Sequence, residues 1–445
     1  MAGIIRYQPH ASISDRETIP FVSASVTIPV SKSILIRQMA IYTMQILTKN
    51  ASPQISNPAK NSLTQFIQAF PEESSLEWPR DCKVMWQAIT QWLTALKSPN
   101  QTQSIIIYFQ DAGTPARLFT AMAATANLPI TITGNASLQS RSMQPLVTAL
   151  RDAGAKISYL EKEGFLPISI QQPIQKLPAQ LLIDQSFSSQ YLSALSIIAA
   201  FHPTPCNIIP TGEPHSLQYW HLTQKMLEMA TPVTLNSIPG DWSAASFFYG
   251  LCASIPYSQI FISPLSSQQL QSDESAADFF RHFNVETILQ SPNTKLLNHT
   301  TATHPNSSLA VISFNMENNP DMVPVLVITA LLQEKSIILQ NINNLQFKES
   351  NRLEALMQVS QILGASLQPW QKTQADEYLL QIPQNGIQWP NSITLDTRND
   401  HRLAMAYSLL ATKIASVELS DIHCVEKSFP NYWEQLRLCN FEITV

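Results

Sequence analysis

The run Ser104-Ile-Ile-Ile-Tyr-Phe-Gln-Asp-Ala-Gly-Thr-Pro-Ala-Arg-Leu-Phe-Thr-Ala-Met-Ala123 decides the fold. It opens with a strand-like apolar stretch over Ser104 to Phe109, breaks in a short polar loop at Asp111 to Gly113, and resumes as a mostly apolar helix from Thr114. A second strand signal follows at Ile130 to Thr133. An amphipathic helix then begins near Met143, with apolar residues at three- and four-residue spacing. This order of strand, loop, apolar helix, strand and more polar helix recurs along the chain, and a fixed repeat decides architecture more firmly than local propensity does.

Six copies of the pattern fit. The other first helices read Ser33-Ile-Leu-Ile-Arg-Gln-Met-Ala, Ser188-Ser-Gln-Tyr-Leu-Ser-Ala-Leu, Ser243-Ala-Ala-Ser-Phe-Phe, Met322-Val-Pro-Val-Leu-Val and His401-Arg-Leu-Ala-Met-Ala. A helix that is apolar all round has no solvent face, so these are expected in the interior. Further strands are expected before such helices at Leu181 to Ile183, Leu309 to Phe314 and Ile393 to Leu395. Others should follow them at Ile260 to Ser263, Ile337 to Gln340 and Val417 to Ser420. The second helices begin near Cys82, Met143, Tyr219, Glu274, Glu349 and Pro430. Six units divide into two halves of three near Ile238 to Gly240, where Pro239-Gly240 reads as a turn. Two similar α/β domains are therefore expected. The segment from Lys49 to Glu77, rich in Ser, Asn, Pro and Gln, reads as a surface excursion.

Composition narrows the function. At 445 residues there is ample material for more than one core. A net charge of -5 argues against general nucleic-acid binding, so any anion site must be local. Charged residues are scarce at 13%, which makes clusters of them informative. The five cysteines are scattered and lack C-x-x-C spacing, so neither a disulfide framework nor a zinc site is indicated, and a cytoplasmic protein is expected. No basic-then-apolar leader pattern opens the chain, and no apolar run approaches the ~18 residues of a membrane span.

The chemistry sits where loops run into helices. Asn344 to Leu353 reads Asn-Leu-Gln-Phe-Lys-Glu-Ser-Asn-Arg-Leu and precedes an amphipathic run, so Lys348, Glu349 and Arg352 fall in or just before a first helical turn. Cations beside unpaired N–H groups suit an anion or phosphate, and a carboxylate among them could move a proton. Other junctions repeat the theme: Ser31-Lys-Ser33 with Arg37, Asp111-Ala-Gly-Thr114 with Arg117, Ser188-Ser-Gln190, Ser216 with Tyr219, Pro320-Asp321, Asn399-Asp-His-Arg402 and Lys427-Ser-Phe-Pro430. Gly113 would let a phosphate approach the backbone closely, although a plain turn explains it equally. Ser, Thr and Asp serve as ordinary N-caps elsewhere, which does not account for the arginines and lysines.

In order and spacing these junction motifs resemble the EPSP synthase (3-phosphoshikimate 1-carboxyvinyltransferase) family over nearly the whole chain. The resemblance implies two domains, each of three βαβαββ units in an inside-out α/β arrangement. It puts 30–238 in a first domain on the shikimate 3-phosphate side. Residues 1–29 plus 239–445 form a discontinuous second domain with the catalytic carboxylates and phosphoenolpyruvate cations. It implies transfer of the enolpyruvyl group of phosphoenolpyruvate to the 5-hydroxyl of shikimate 3-phosphate, with no metal or organic cofactor. The implied partners are those two small molecules, with no nucleic acid, no membrane and a monomeric state. Matched positions put Lys32, Gly113, Arg117, Gln190, Arg352, Arg402 and Lys427 around phosphoenolpyruvate. Ser33, Arg37, Ser188, Ser189, Ser216, Tyr219, Asn344 and Lys348 fall around shikimate 3-phosphate. Asp321 is implied as the group that accepts the hydroxyl proton, and Lys32 and Glu349 as candidates for protonating the enol carbon.

Three positions depart from the family pattern. Val30 stands in place of a glycine before Ser31-Lys32. Asp111 replaces an asparagine and adds negative charge unless protonated or paired. Ser137 falls where an arginine that grips phosphoenolpyruvate is expected, with Arg141 one helical turn on. Two rival readings follow: a protein that keeps the fold and one ligand without turnover, and enolpyruvyl transfer to a UDP-sugar. The Ser188-Ser-Gln190 and Lys348-to-Arg352 sets, and the absence of cysteine between Asp111 and Arg141, weigh against the UDP-sugar.

Overall fold

The computed structural model describes residues 1–9, 22–50, 58–72, 77–97, 104–186, 188–212, 217–229, 235, 238–299, 311–370 and 376–445. They form two compact units, one of residues 31–238 and one of residues 1–30 with 239–445. No described helix is long and apolar enough to cross a membrane.

In the first unit the apolar helices Lys32–Asn50, Gly113–Ala123 and Gln190–Phe201 pack on one another. Burial follows from sequence: Leu118, Phe119, Ala121, Met122 and Ala123 leave the Gly113 helix no polar stripe to turn toward water. Its four-stranded sheet runs Ile105–Tyr108, Ile130–Thr133, Ile168–Gln172, Lys156–Tyr159 in spatial order, with the first pair parallel and the others antiparallel. The parallel pair is what a strand, helix, strand crossover produces. Gln180–Asp184 and Asn207–Thr211 make a second parallel pair. The remaining copy, before Lys97, carries helices and no strand among its described residues.

That copy corrects one expectation. The Lys49 to Glu77 segment contains the helix Pro58–Ala69, which packs against Lys32–Asn50 and Arg80–Leu96. Ser62, Phe66 and Phe70 are buried at a spacing of four, and the Phe70 carbonyl accepts a hydrogen bond from Trp86 Nε1 at 2.9 Å. Phe66 in the last turn and Phe70 just past the end anchor the helix, and dense polar neighbours hide so thin a stripe from a composition-based reading.

In the second unit Trp242–Ser254, Val323–Leu332 and His401–Ser408 are the interior helices; all ten residues of the middle one are buried. Three four-stranded sheets surround them. Two of these take a strand from the N-terminus. Gly3–Tyr7 lies between Ser416–Leu419 and Phe441–Thr444, antiparallel to both, and Ser23–Thr27 runs parallel to Gln259–Ser263. Ladder hydrogen bonds thus tie the first thirty residues into this unit. Where the chain leaves and returns, Val30 bridges Gly240 and Asp241 N donates to the Pro29 carbonyl at 3.0 Å. A Cβ at Gly240 would lie 1.7 Å from the Pro264 carbonyl oxygen, so the close backbone approach requires glycine. Val30 itself does not adopt positive φ, so the glycine expected there is not needed.

If the Pro58–Ala69 helix belongs to the core, Phe66→Ala should lower the unfolding free energy by about 3–5 kcal/mol, as deletion of a buried Phe usually does. Urea denaturation measures this. A loss under about 0.5 kcal/mol, the range of surface substitutions, would return the segment to the surface.

Candidate active site

Two clusters of charge appear, one in each unit. In the first, the helix Gly113–Ala123 begins where the strand Ile105–Tyr108 ends. A Cβ at Gly113 would stand 3.2 Å from Arg141 Nη1 and 3.8 Å from Arg117 Nη1, so two guanidinium groups reach this helix start. Arg117 donates to Gln190 Oε1 at 2.7 Å and lies over the Tyr191 ring at 5.1 Å; its Nη1 is 3.5 Å from Ser188 Oγ. Arg141 reaches Ser137 Oγ at 3.4 Å, a neutral partner that leaves its charge available. The structure therefore brings together Gly113, Arg117, Ser188 and Gln190, and adds Arg141. Asp111, the extra negative charge, is paired with Arg80 at 2.8 Å. Lys32 pairs with Asp81 at 3.2 Å.

Arg37 is only 1% exposed. It donates to Thr223 Oγ1 at 2.8 Å and to the Ser33 carbonyl at 2.9 Å, and lies 5.6 Å from the centre of the Tyr219 ring. Burial lowers its pKa to about 10 against the opposing pull of Tyr219. Its contacts join the helices that carry Ser33 and Tyr219. Ser189 is buried at the head of its helix, and Ser216 lies outside the described residues.

The second cluster centres on Arg352, whose side chain is 0% exposed. Its Nε donates to Asp400 Oδ2 at 2.7 Å, Nη1 to Asp321 Oδ1 at 2.8 Å, and Nη2 to Glu349 Oε2 at 2.8 Å and Asp400 Oδ1 at 3.2 Å. Arg402 grips the other oxygen of Asp321 at 3.0 Å. Each member sits at a helix start. Asp321 lies in the turn Pro320–Met322 before Val323–Leu332, and Arg352 opens Arg352–Ile362. Asp400 caps His401–Ser408 by accepting from Arg402 N. The helix Arg352–Ile362 begins at Arg352 rather than at Glu349 because Asn351 caps it, accepting from Glu354 N.

Electrostatics at this cluster are strongly shifted. Burial pushes the Asp321 carboxyl upward, but Arg402, Lys348 and Arg352 outweigh it and hold Asp321 well below the usual carboxylate range. Burial lowers the Lys348 ammonium, and Asp321 only partly offsets this. Burial lowers Arg352 too, but Asp400, Glu349 and Asp321 more than restore it. Lys427 is buried on the turn His423–Lys427, and Asn344 Oδ1 is buried without a hydrogen bond from a described residue.

Two contributors escaped the sequence reading. Asp400 was visible as the carboxylate of the Asn399-Asp-His-Arg402 junction, but not as the main partner of Arg352. Asp273 is buried, accepts from Ser243 Oγ, and accepts from Asn319 Nδ2 at 3.0 Å. Burial, then the charge of Asp321, raises its pKa to about 6 despite those hydrogen bonds and Arg402. Nothing in Gln271-Ser-Asp-Glu274 separates it from an ordinary helix-start acid.

Guanidinium groups gathered at helix starts within each unit, with paired carboxylates in the second, suit an α/β enzyme that handles small anions. The chain belongs to the family described as EPSP synthase (3-phosphoshikimate 1-carboxyvinyltransferase), whose model matches residues 83–436. It is 26% identical over 442 residues to 3-phosphoshikimate 1-carboxyvinyltransferase of Bacteroides fragilis, spanning 95% of this chain and 97% of that protein. With the protein of the same name from Methanoregula boonei it shares 27% identity over 360 residues, 76% of this chain and 80% of that one. The solved EPSP synthase of Acinetobacter baumannii superposes with a TM-score of 0.66 over 100% of both chains at 16% identity, which fixes the fold as two-domain inside-out α/β.

The raised pKa of Asp273 has a readable sign. The folded state holds this proton more tightly than the unfolded chain. The associated stability is therefore present below about pH 4 and is lost as pH rises through about 6. Asp273→Asn cannot ionise, so its urea midpoint relative to the unmodified protein should climb between pH 4.5 and 7.5. A difference that stays constant over that range would mean that Asp273 titrates as an ordinary carboxyl.

Proposed function

We infer that this protein transfers the enolpyruvyl group of phosphoenolpyruvate to the 5-hydroxyl of shikimate 3-phosphate, releasing phosphate. Its relatives of nearly equal length carry that activity in their name. The observation that carries the residue assignment is the pairing of Asp321 with both Arg352 and Arg402, which keeps a carboxylate ionised among cations.

Asp321 accepts the proton of the 5-hydroxyl as that oxygen adds to C2 of phosphoenolpyruvate, while Lys32 or Glu349 delivers a proton to the methylene carbon. In the tetrahedral adduct the C2–O bond to phosphate then breaks and the methyl group gives up a proton, leaving the enol ether. A carboxylate held so low is by itself a weak base. Substrate anions bound to Arg402 and Lys348 would cancel much of the field that depresses it and restore its proton affinity. Arg402, Arg352, Lys427, Gly113, Arg117, Gln190 and Lys32 are assigned to phosphoenolpyruvate. Ser33, Ser188, Ser189, Ser216, Tyr219, Asn344 and Lys348 go to shikimate 3-phosphate, with Arg37 holding Ser33 and Tyr219 in place. Cations in this number suit two substrates that together bring two phosphates and two carboxylates.

Against a non-catalytic binding protein stand the pairing of Asp111 and the placement of Arg141 at Gly113, which leave the helix start cationic despite Ser137. The free cysteines among the described residues suit a cytoplasmic enzyme.

Phosphate release should be seen with shikimate 3-phosphate as acceptor and not with a UDP-sugar. Asp321→Asn should cut turnover about 10²- to 10⁴-fold, the scale of a lost general base, while calorimetric binding of shikimate 3-phosphate stays within a few-fold. Full turnover in that variant would remove Asp321 from the proton path.

A further inference from the structure

Asp111 is a misfit at an anion site. It stands two residues before the helix Gly113–Ala123, at the start reached by Arg117 and Arg141, and its charge opposes any anion placed there. Arg80 is a misfit of the opposite kind. It is the first residue of the helix Arg80–Leu96, where the dipole is positive and a cation is disfavoured. The two misfits meet: Arg80 Nη2 lies 2.8 Å from Asp111 Oδ1, with the Asp111 side chain 11% and the Arg80 side chain 33% exposed. Arg80 Nε is buried and bonds to no described residue, so the contact with Asp111 is the polar anchor that the structure shows for this guanidinium. The next residue, Asp81, pairs with Lys32, which places two ion pairs of opposite sense side by side along one helix start.

We propose that Arg80 is a positioning residue for the reaction: by holding and neutralising Asp111 it keeps the helix start at Gly113 cationic enough to take the anion of phosphoenolpyruvate. Arg80 touches no substrate and acts through Asp111. This rests on the reading that phosphoenolpyruvate binds at this helix start.

Two single substitutions at Arg80 and one double variant test it. Arg80→Gln should raise the KM for phosphoenolpyruvate about tenfold or more, with kcat and the KM for shikimate 3-phosphate within about threefold of the unmodified enzyme. Arg80→Gln combined with Asp111→Asn should bring the first KM back within threefold, because the charge that needed neutralising is gone. Arg80→Lys should stay near the unmodified enzyme. If the double variant keeps the high KM, Arg80 acts by packing and the proposal fails. If Arg80→Gln leaves that KM unchanged, Asp111 does not oppose the anion and the proposal fails again. Calorimetric titration of inorganic phosphate into the same three variants separates this from the activity. Should the unmodified protein turn nothing over, the same ordering of phosphate affinities would still support the charge pair, and equal affinities would overturn it.

Discussion

A single buried guanidinium, that of Arg352, holds the second unit's chemistry in register. It spends four of its donor contacts on three carboxylates drawn from separate stretches of chain. Those stretches are the starts of three helices, two of them interior helices whose own burial fixes where their first residues lie. Removing one partner from such a buried pair costs about 3–5 kcal/mol, because the other charge is left stranded away from water. Asp321, Glu349 and Asp400 are thus held in place by mutual need. Asp321 stays charged in its low-dielectric setting because Arg402, Lys348 and Arg352 outweigh its burial, whereas Asp273 nearby is pushed up by burial first and then by the charge of Asp321.

The first unit solves a different problem with similar parts. Gly113 leaves room at a helix start, and Arg117 and Arg141 fill the space around it. Ser137 does not remove the site's positive character, because its hydroxyl contacts Arg141, whose guanidinium lies against Gly113. Asp111 does not abolish it either, because Arg80 is there. Ser137 and Asp111, the two departures that lower the positive charge at this helix start, each have a cation beside them.

How much of this was legible depends on how local the cause is. The six interior helices were legible because an all-apolar helix can only be buried, and that property shows in any eight-residue window. Their starts came out within about two residues for the same reason. The Pro58–Ala69 helix was not legible, since its hold on the core is Phe66 and Phe70 among polar residues. The N-terminal strands carry no mark that says which sheet will take them; Gly3–Tyr7 pairs with strands more than 400 residues away. Site residues were legible where a junction showed several polar types together, as at Lys348 to Arg352. Arg80 and Asp111 were not read as a pair because nothing in either neighbourhood refers to the other, and the match exists only once two helix starts are adjacent.

Arg402, Lys348 and Arg352 together keep Asp321 ionised, and in the proposed mechanism it takes a proton once substrate anions weaken their field. The most direct test is the carboxyl carbon-13 shift of Asp321, followed by NMR as the unmodified, substrate-free protein is acidified. The titration midpoint of Asp321 should lie well beneath the ordinary value of about 3.9. A midpoint near 4 or higher would mean that the three cations do not control this carboxylate, and the arrangement described here would lose its chemical purpose.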